Sequence, residues 1–238
     1  MFFEQVIDEW GGVLLVPTKS GEALLTIGIA MALLFAMIGL QIFGNRVTVR
    51  KMAYCTLCIG IGALVANFNI PIGEAGGNVT FFTMLIIMMP AFCFGPLCGI
   101  AVGMAYGIFQ MLIDPYLVFP LQIAVDYIFA FAALGISGIF YKKRGGLLIG
   151  YIAGVLGRYF FAFISGAFFF GEYAWEGWGA IPYSLAYNAL YLFPEAIITI
   201  ILISLPPVRK AIYRFRELSV NNFQIRIPTN RFDVEEWA

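Results

Sequence analysis

The chain has 238 residues, 61% of them hydrophobic and 12% charged, with a mean hydropathy of +0.89 and no net charge. A water-soluble domain of this length cannot hide so much apolar surface, so lipid is the solvent for much of it. No stretch is basic enough for nucleic acid, no G-x-x-x-x-G-K-[ST] loop is present to handle ATP, and the absence of histidine removes His-based catalysis.

A bilayer core takes about 20 apolar residues per helix. Seven segments meet that need: 22–44, 52–68, 79–95, 97–113, 118–140, 147–170 and 183–205. The first is too long for a secretory h-region, and Glu4, Asp8 and Glu9 precede it where a signal peptide carries basic residues. It is expected to remain as a helix. In the second, Thr56 with Gly60 and Gly62 with Ala66 stand four residues apart. Gly99, Gly103 and Gly107 repeat the device in the fourth. Small residues at this spacing let helices approach closely, either inside one bundle or against a partner. Pro90 predicts a kink, and Gly95-Pro96 a tight turn. Cys55 and Cys58 form a C-x-x-C within an apolar helix, where packing is the simpler use than metal or redox chemistry. No metal site or cofactor is expected.

Basic residues set the orientation. Arg46, Arg50 and Lys51 follow the first span, Lys142, Lys143 and Arg144 the fifth, and Arg209, Lys210, Arg214 and Arg216 the seventh. With seven spans all three clusters face the cytoplasm of a multi-pass protein in the cell membrane, and the N-terminus lies outside. Three regions follow: an N-terminal outside segment and extra transmembrane helix over 1–46, a membrane domain over 47–205, and a cytoplasmic tail over 206–238. The start of that tail is basic and aromatic; it either lies along the headgroups or flanks a disordered end.

An ionisable group at the centre of a membrane helix costs about 2.5–3.5 kcal/mol on insertion scales. Three require a reason: Asp126, Arg158 and Glu195. Counted from the outer ends of their helices, Arg158 and Glu195 both lie about 18 Å deep, level enough to form a structural ion pair. Asp126, about 12 Å deep, lacks an obvious protein cation. It either awaits a cationic or hydrogen-bond-donating ligand, or is protonated, or is met by Arg158 from below. Its surroundings favour a ligand. Tyr127 adjoins it and Gln122 lies one turn above. Gly166 and Phe170 continue the face of Arg158, and Tyr183, Tyr187, Asn188 and Tyr191 open the last span. Aromatic faces attract flat cations, and an amide offers both a donor and an acceptor. Trp175 and Trp178 in the loop also suit an ordinary interfacial belt.

Three stretches carry a resemblance. Asp126-Tyr127 is followed by Ala-Phe-Ala-Ala-Leu-Gly-Ile-Ser-Gly (130–138). The second is Arg-Tyr-Phe-Phe-Ala-Phe-Ile-Ser-Gly (158–166), and the third runs from Tyr173-Ala-Trp-Glu-Gly-Trp-Gly to Tyr-Ser-Leu-Ala-Tyr-Asn188. Together they resemble the thiamine-specific substrate-binding (S) component of energy-coupling factor (ECF) transporters, over roughly residues 47–205. The resemblance implies an all-α integral membrane fold: a six-helix S-component-like bundle, here with one extra N-terminal transmembrane helix. It also implies thiamine bound near the outer face and no enzymatic activity. The partners it implies are an ECF transmembrane coupling protein and two ATPase subunits. On this resemblance Asp126 would take the acidic ligand position beside Tyr127, Gly166 would lie against the ligand, and Tyr183 and Asn188 would bond its pyrimidine. Phe170 stands where some members have a stacking tryptophan, and Ala162 where some have a histidine. Phe81 and Phe82 are the candidates for a further aromatic residue. These departures leave a related pyrimidine or another flat amine open. Thr56 and Gly60 are the expected face toward the coupling protein. A standalone proton-coupled vitamin carrier and a non-transporting membrane scaffold are the alternatives.

Overall fold

The structure is a computed structural model that describes residues 3–7, 13–17, 48–72, 76–113, 120–143 and 145–221. The expected first span, 22–44, lies outside the described residues, as does everything after 221. Near the N-terminus β1 (Phe3–Ile7) pairs antiparallel with β2 (Val13–Pro17).

Six apolar helices follow: α1 (Val49–Ala66), α2 (Thr83–Phe94), α3 (Pro96–Ile113), α4 (120–140), α5 (Gly146–Phe169) and α6 (Ala180–Ser204). Five are long and apolar enough to cross a membrane, and α2 is a shorter apolar helix. Thr48 caps α1 by accepting from the Lys51 amide, which satisfies one of the orphan donors of the first turn. Gly95 ends α2 at φ 97°, a conformation that suits glycine. Pro96 then starts α3 at once, where its missing N–H costs nothing. The expected tight turn between these spans is therefore a single residue, Gly95.

Helix α2 is the central element. It packs on α1, α3, α4 and α5, and Met84, Ile87, Met88, Ala91 and Phe92 on it are all at most 3% exposed. The glycines expected to allow close approach do so inside the bundle. A Cβ at Gly99 would strike Ala91, one at Gly103 the Phe131 carbonyl, and one at Gly107 the Tyr127 carbonyl. Of the two uses that small-residue spacing permits, α3 shows the internal one.

Three features depart from the sequence-based expectation. The segment 79–95 is not helical throughout: β3 (Asn69–Ile72) and β4 (Gly77–Thr80) form an antiparallel hairpin, and α2 starts only at Thr83. Alternation in so short a run, broken by glycines, is hidden beside the apolar stretch that follows. Secondly, α4 is composite: an α-helical turn (Pro120–Ile123), a π-helical stretch (Ala124–Phe129), α again (Ala130–Ala133) and a 3-10 end (Leu134–Phe140). Thirdly, the tail begins as an ordered helix, α7 (Pro206–Asn221), which packs back on the bundle. Tyr213 meets Phe92 edge-on at 5.4 Å, Phe215 meets Tyr54 at 5.2 Å, and the Arg216 guanidinium lies 4.7 Å from the Phe92 ring centre.

Candidate functional site

At the end of the bundle that carries the hairpin, helices α3 to α6 diverge around a cavity of about 200 Å³. That lies below the usual range for pockets that take drug-sized molecules, so it suits one small, flat compound. Every helix from α1, through its last residue Ala66, to α6 contributes, and β4 supplies Gly77, Asn78 and Thr80.

The π-helical stretch presents Asp126 and Tyr127 to the cavity. An extra residue per turn rotates the side chains that follow, and such insertions recur at functional sites. One Asp126 oxygen accepts from the Gln122 amide at 2.9 Å, and Gln122 itself is 1% exposed. Among the described residues no arginine or lysine comes within ion-pair distance of the Asp126 carboxylate.

The expected Arg158–Glu195 ion pair does not form. Glu195 directs both oxygens elsewhere: one accepts from the Thr80 hydroxyl at 2.5 Å and the other from the Met84 backbone N–H at 2.8 Å. Arg158 lines the cavity with its guanidinium 4.2 Å from the centre of the Phe131 ring, a cation–π arrangement. Level depth was a necessary condition for pairing and not a sufficient one. Glu195 is engaged by the root of the hairpin and the start of α2, and Arg158 by Phe131 of α4, contacts that depth counting does not include.

Helix α6 gives the cavity its aromatic wall. Tyr183 and Tyr187 stack at 5.4 Å with 25° between their planes, and Trp175 meets Tyr183 edge-on at 5.3 Å. Phe170, buried at the end of α5, also lines the space. Asn188 lines it too, yet its amide nitrogen already donates to the carbonyls of Ala162 and Ser184 at 3.2 and 2.8 Å and contacts the Ser184 hydroxyl. Its oxygen accepts from Tyr191 at 2.6 Å. What Asn188 can still offer a ligand is the second lone pair of that oxygen. Gly166 also borders the cavity, but its missing Cβ faces Ser184 and Asn188. Its smallness thus serves the closeness of α5 and α6 as well as any ligand.

Among the cavity residues that escaped the sequence reading are Gly77, Asn78, Thr80, Thr83, Tyr106 and Gln110. Tyr106 donates to Gln110 one turn away at 3.2 Å. An amide inside an apolar span was a signal available in the sequence, whereas Thr80 and Thr83 reach the cavity only because of the hairpin. Phe81 and Phe82 do not line it. Thr56 and Gly60 do not line this cavity and lie on the exposed side of α1, and a Cβ at Gly60 would meet nothing within 4 Å.

The hairpin is tied to α6 by Tyr187, whose hydroxyl donates to the Ile72 carbonyl at 2.6 Å and accepts from the Gly77 N–H at 2.9 Å. Tyr187→Phe is expected to lower stability by about 1–3 kcal/mol, because two backbone groups lose their partner. A thermal melt in detergent measures it, and an unchanged midpoint would contradict the tie.

Residues 52–214 match the profile of the thiamine transporter protein family (Thia_YuaJ). The chain is 38% identical over 144 residues to the thiamine transporter ThiT of Bacillus subtilis (strain 168), covering 55% of this chain and 74% of that relative. Its fold is similar to the solved structure of ThiT from Listeria monocytogenes, with a TM-score of 0.56 and 23% identity, over 66% of this chain and 94% of that one. Since the profile spans α1 to α6 and every helix that borders the cavity, this chain belongs to the thiamine transporter protein family.

Proposed function

We propose that this multi-pass membrane protein captures thiamine from outside the cell as a substrate-binding S component and passes it to a separate ECF module. That module consists of a transmembrane coupling protein and two ATPase subunits. Family membership supports thiamine uptake. The single observation that carries the reading is a membrane-embedded carboxylate, Asp126, bordering a small aromatic cavity with no cationic side chain in pairing distance among the described residues.

Thiamine's thiazolium charge and aminopyrimidine answer that arrangement. Asp126 compensates the charge or accepts from the amine, while Phe170 and the Tyr183–Tyr187 stack offer ring faces. Asn188 contributes its remaining oxygen lone pair to the ring edge, and Tyr127 and Gly166 complete the walls. In this reading the cavity end faces outward and the end with Lys51, Lys142, Lys143 and α7 faces the cytoplasm, an orientation that the distribution of basic residues supports. The open, small-residue face of Thr56 and Gly60 on α1 suits docking to the coupling protein's helices.

The test is direct. Trp175 lies against cavity-lining Tyr183, so thiamine added to the purified protein is expected to quench tryptophan fluorescence saturably. Absence of quenching, with a clear response to another flat amine, would reassign the ligand. Thiamine uptake that persists in cells lacking the ATPase subunits would favour a standalone carrier.

A further inference from the structure

The wall of the cavity formed by the hairpin hangs on a turn that residues with a Cβ rarely adopt. Phe82, between β4 and α2, has φ 61° and ψ 7°, and it has the only positive φ of any non-glycine residue described. Left-handed backbone is disfavoured for an L side chain and persists only where its surroundings impose it. Phe82 also stands at the N-cap of α2 and makes no capping bond with its side chain, so the first-turn N–H groups of α2 need another acceptor.

Glu195 supplies both needs. It sits in the middle of α6, 2% exposed, and grips the chain on either side of Phe82. Ahead of the turn it accepts from the Thr80 hydroxyl, and after it from the Met84 amide. A carboxylate presents two oxygens that accept from both donors at once, and these two bonds offset part of the cost of an acid at this depth. Thr80 ends β4, and Gly77, Asn78 and Thr80 border the cavity. The hairpin is therefore held to α6 at two heights: by Tyr187 near its tip and by Glu195 at its root.

We infer that Glu195 is a positioning residue for ligand binding: by clamping the turn from Thr80 to Met84 it holds the hairpin against the cavity and slows the departure of bound thiamine. The ligand named here rests on the function proposed above; the clamp itself does not.

The experiment compares wild type with Thr80→Val, Glu195→Gln and Glu195→Ala in the full-length protein. Dissociation of thiamine is followed by stopped-flow fluorescence after a chase. Hydrogen exchange at the amides of 77–80 is measured without ligand. Thr80→Val removes one bond to a charged acceptor and leaves Glu195 in place, so dissociation is expected to quicken about tenfold. Glu195→Ala is expected to quicken it about a hundredfold, with association changed by less than about threefold. Glu195→Gln retains one accepting oxygen, and the Thr80 hydroxyl can rotate to accept from its amide, so it should stay within about threefold of wild type. Exchange at 77–80 should rise in the valine and alanine variants while exchange in α5 is unaltered.

Dissociation and exchange at wild-type values in Thr80→Val, even with a lowered melting point, would overturn the positioning role and leave Glu195 a purely structural acid. If the alanine variant fails to fold, Thr80→Val decides. If wild type binds no thiamine, the proposed function falls while exchange at the hairpin still decides the clamp.

Discussion

Asp126→Asn is expected to weaken thiamine binding by about 2 kcal/mol or more, near thirtyfold, without lowering the melting point of the ligand-free protein. The two halves of this expectation have one cause. Asparagine has the shape of aspartate and can still accept from Gln122, which lies 2.9 Å from the carboxylate, so packing is kept. What disappears is a charge held away from water with no cation in pairing distance among the described residues. Removing it relieves a desolvation cost in the empty protein and removes the partner of a cationic ligand in the occupied one. Isothermal titration and a thermal melt on the same samples separate these effects. A fall in stability with affinity intact would make Asp126 a structural acid and would favour the scaffold alternative.

The largest effect on the fold is expected at Gly107. A Cβ there would overlap the backbone carbonyl of Tyr127, and no side-chain rotation can relieve a clash with backbone. Gly103 and Gly99 are also closely met, by the Phe131 carbonyl of α4 and by Ala91 of α2, so α3 cannot shift against its neighbours to find room. Gly107→Val should cost about 3 kcal/mol or more, lowering the melting point by roughly 6–12 °C. Thiamine binding should fail with it. The Tyr127 carbonyl belongs to the π-helical stretch that carries Asp126, so parting the helices moves the carboxylate. Gly60→Val is the control: a Cβ there meets nothing within 4 Å, and stability should change by less than about 0.5 kcal/mol. Equal effects at the two glycines would refute the assignment of one to bundle packing and the other to an open face.

These residues also show how far the sequence could be read. Gly99, Gly103 and Gly107 announced close packing because glycine at four-residue spacing in an apolar helix has few other uses. They did not say which helix would come close, since any backbone fits against a glycine. Asp126 and Tyr127 were visible for a similar reason. A carboxylate is so costly in lipid that its presence alone raises the question of a partner. That Asp126 would sit on a π-helical stretch was not visible, because the inserted residue is accommodated by the neighbouring helix and leaves no mark in local propensity. Asn188 was legible as a cavity residue but not as one already bonded to Ser184, Ala162 and Tyr191.

Composition and the periodic placement of apolar, small and basic residues are properties of the chain itself. They were sufficient to specify lipid as the solvent, six of the helices seen here, and the acid that borders the cavity. Direction and partnership are not local properties. Arg158 turned to an aromatic ring rather than to Glu195, Glu195 turned to a hairpin, and α7 folded back onto α1 and α2, because each followed contacts with elements distant in sequence. A helix pattern specifies which face a residue occupies; only the assembled bundle specifies what stands opposite that face.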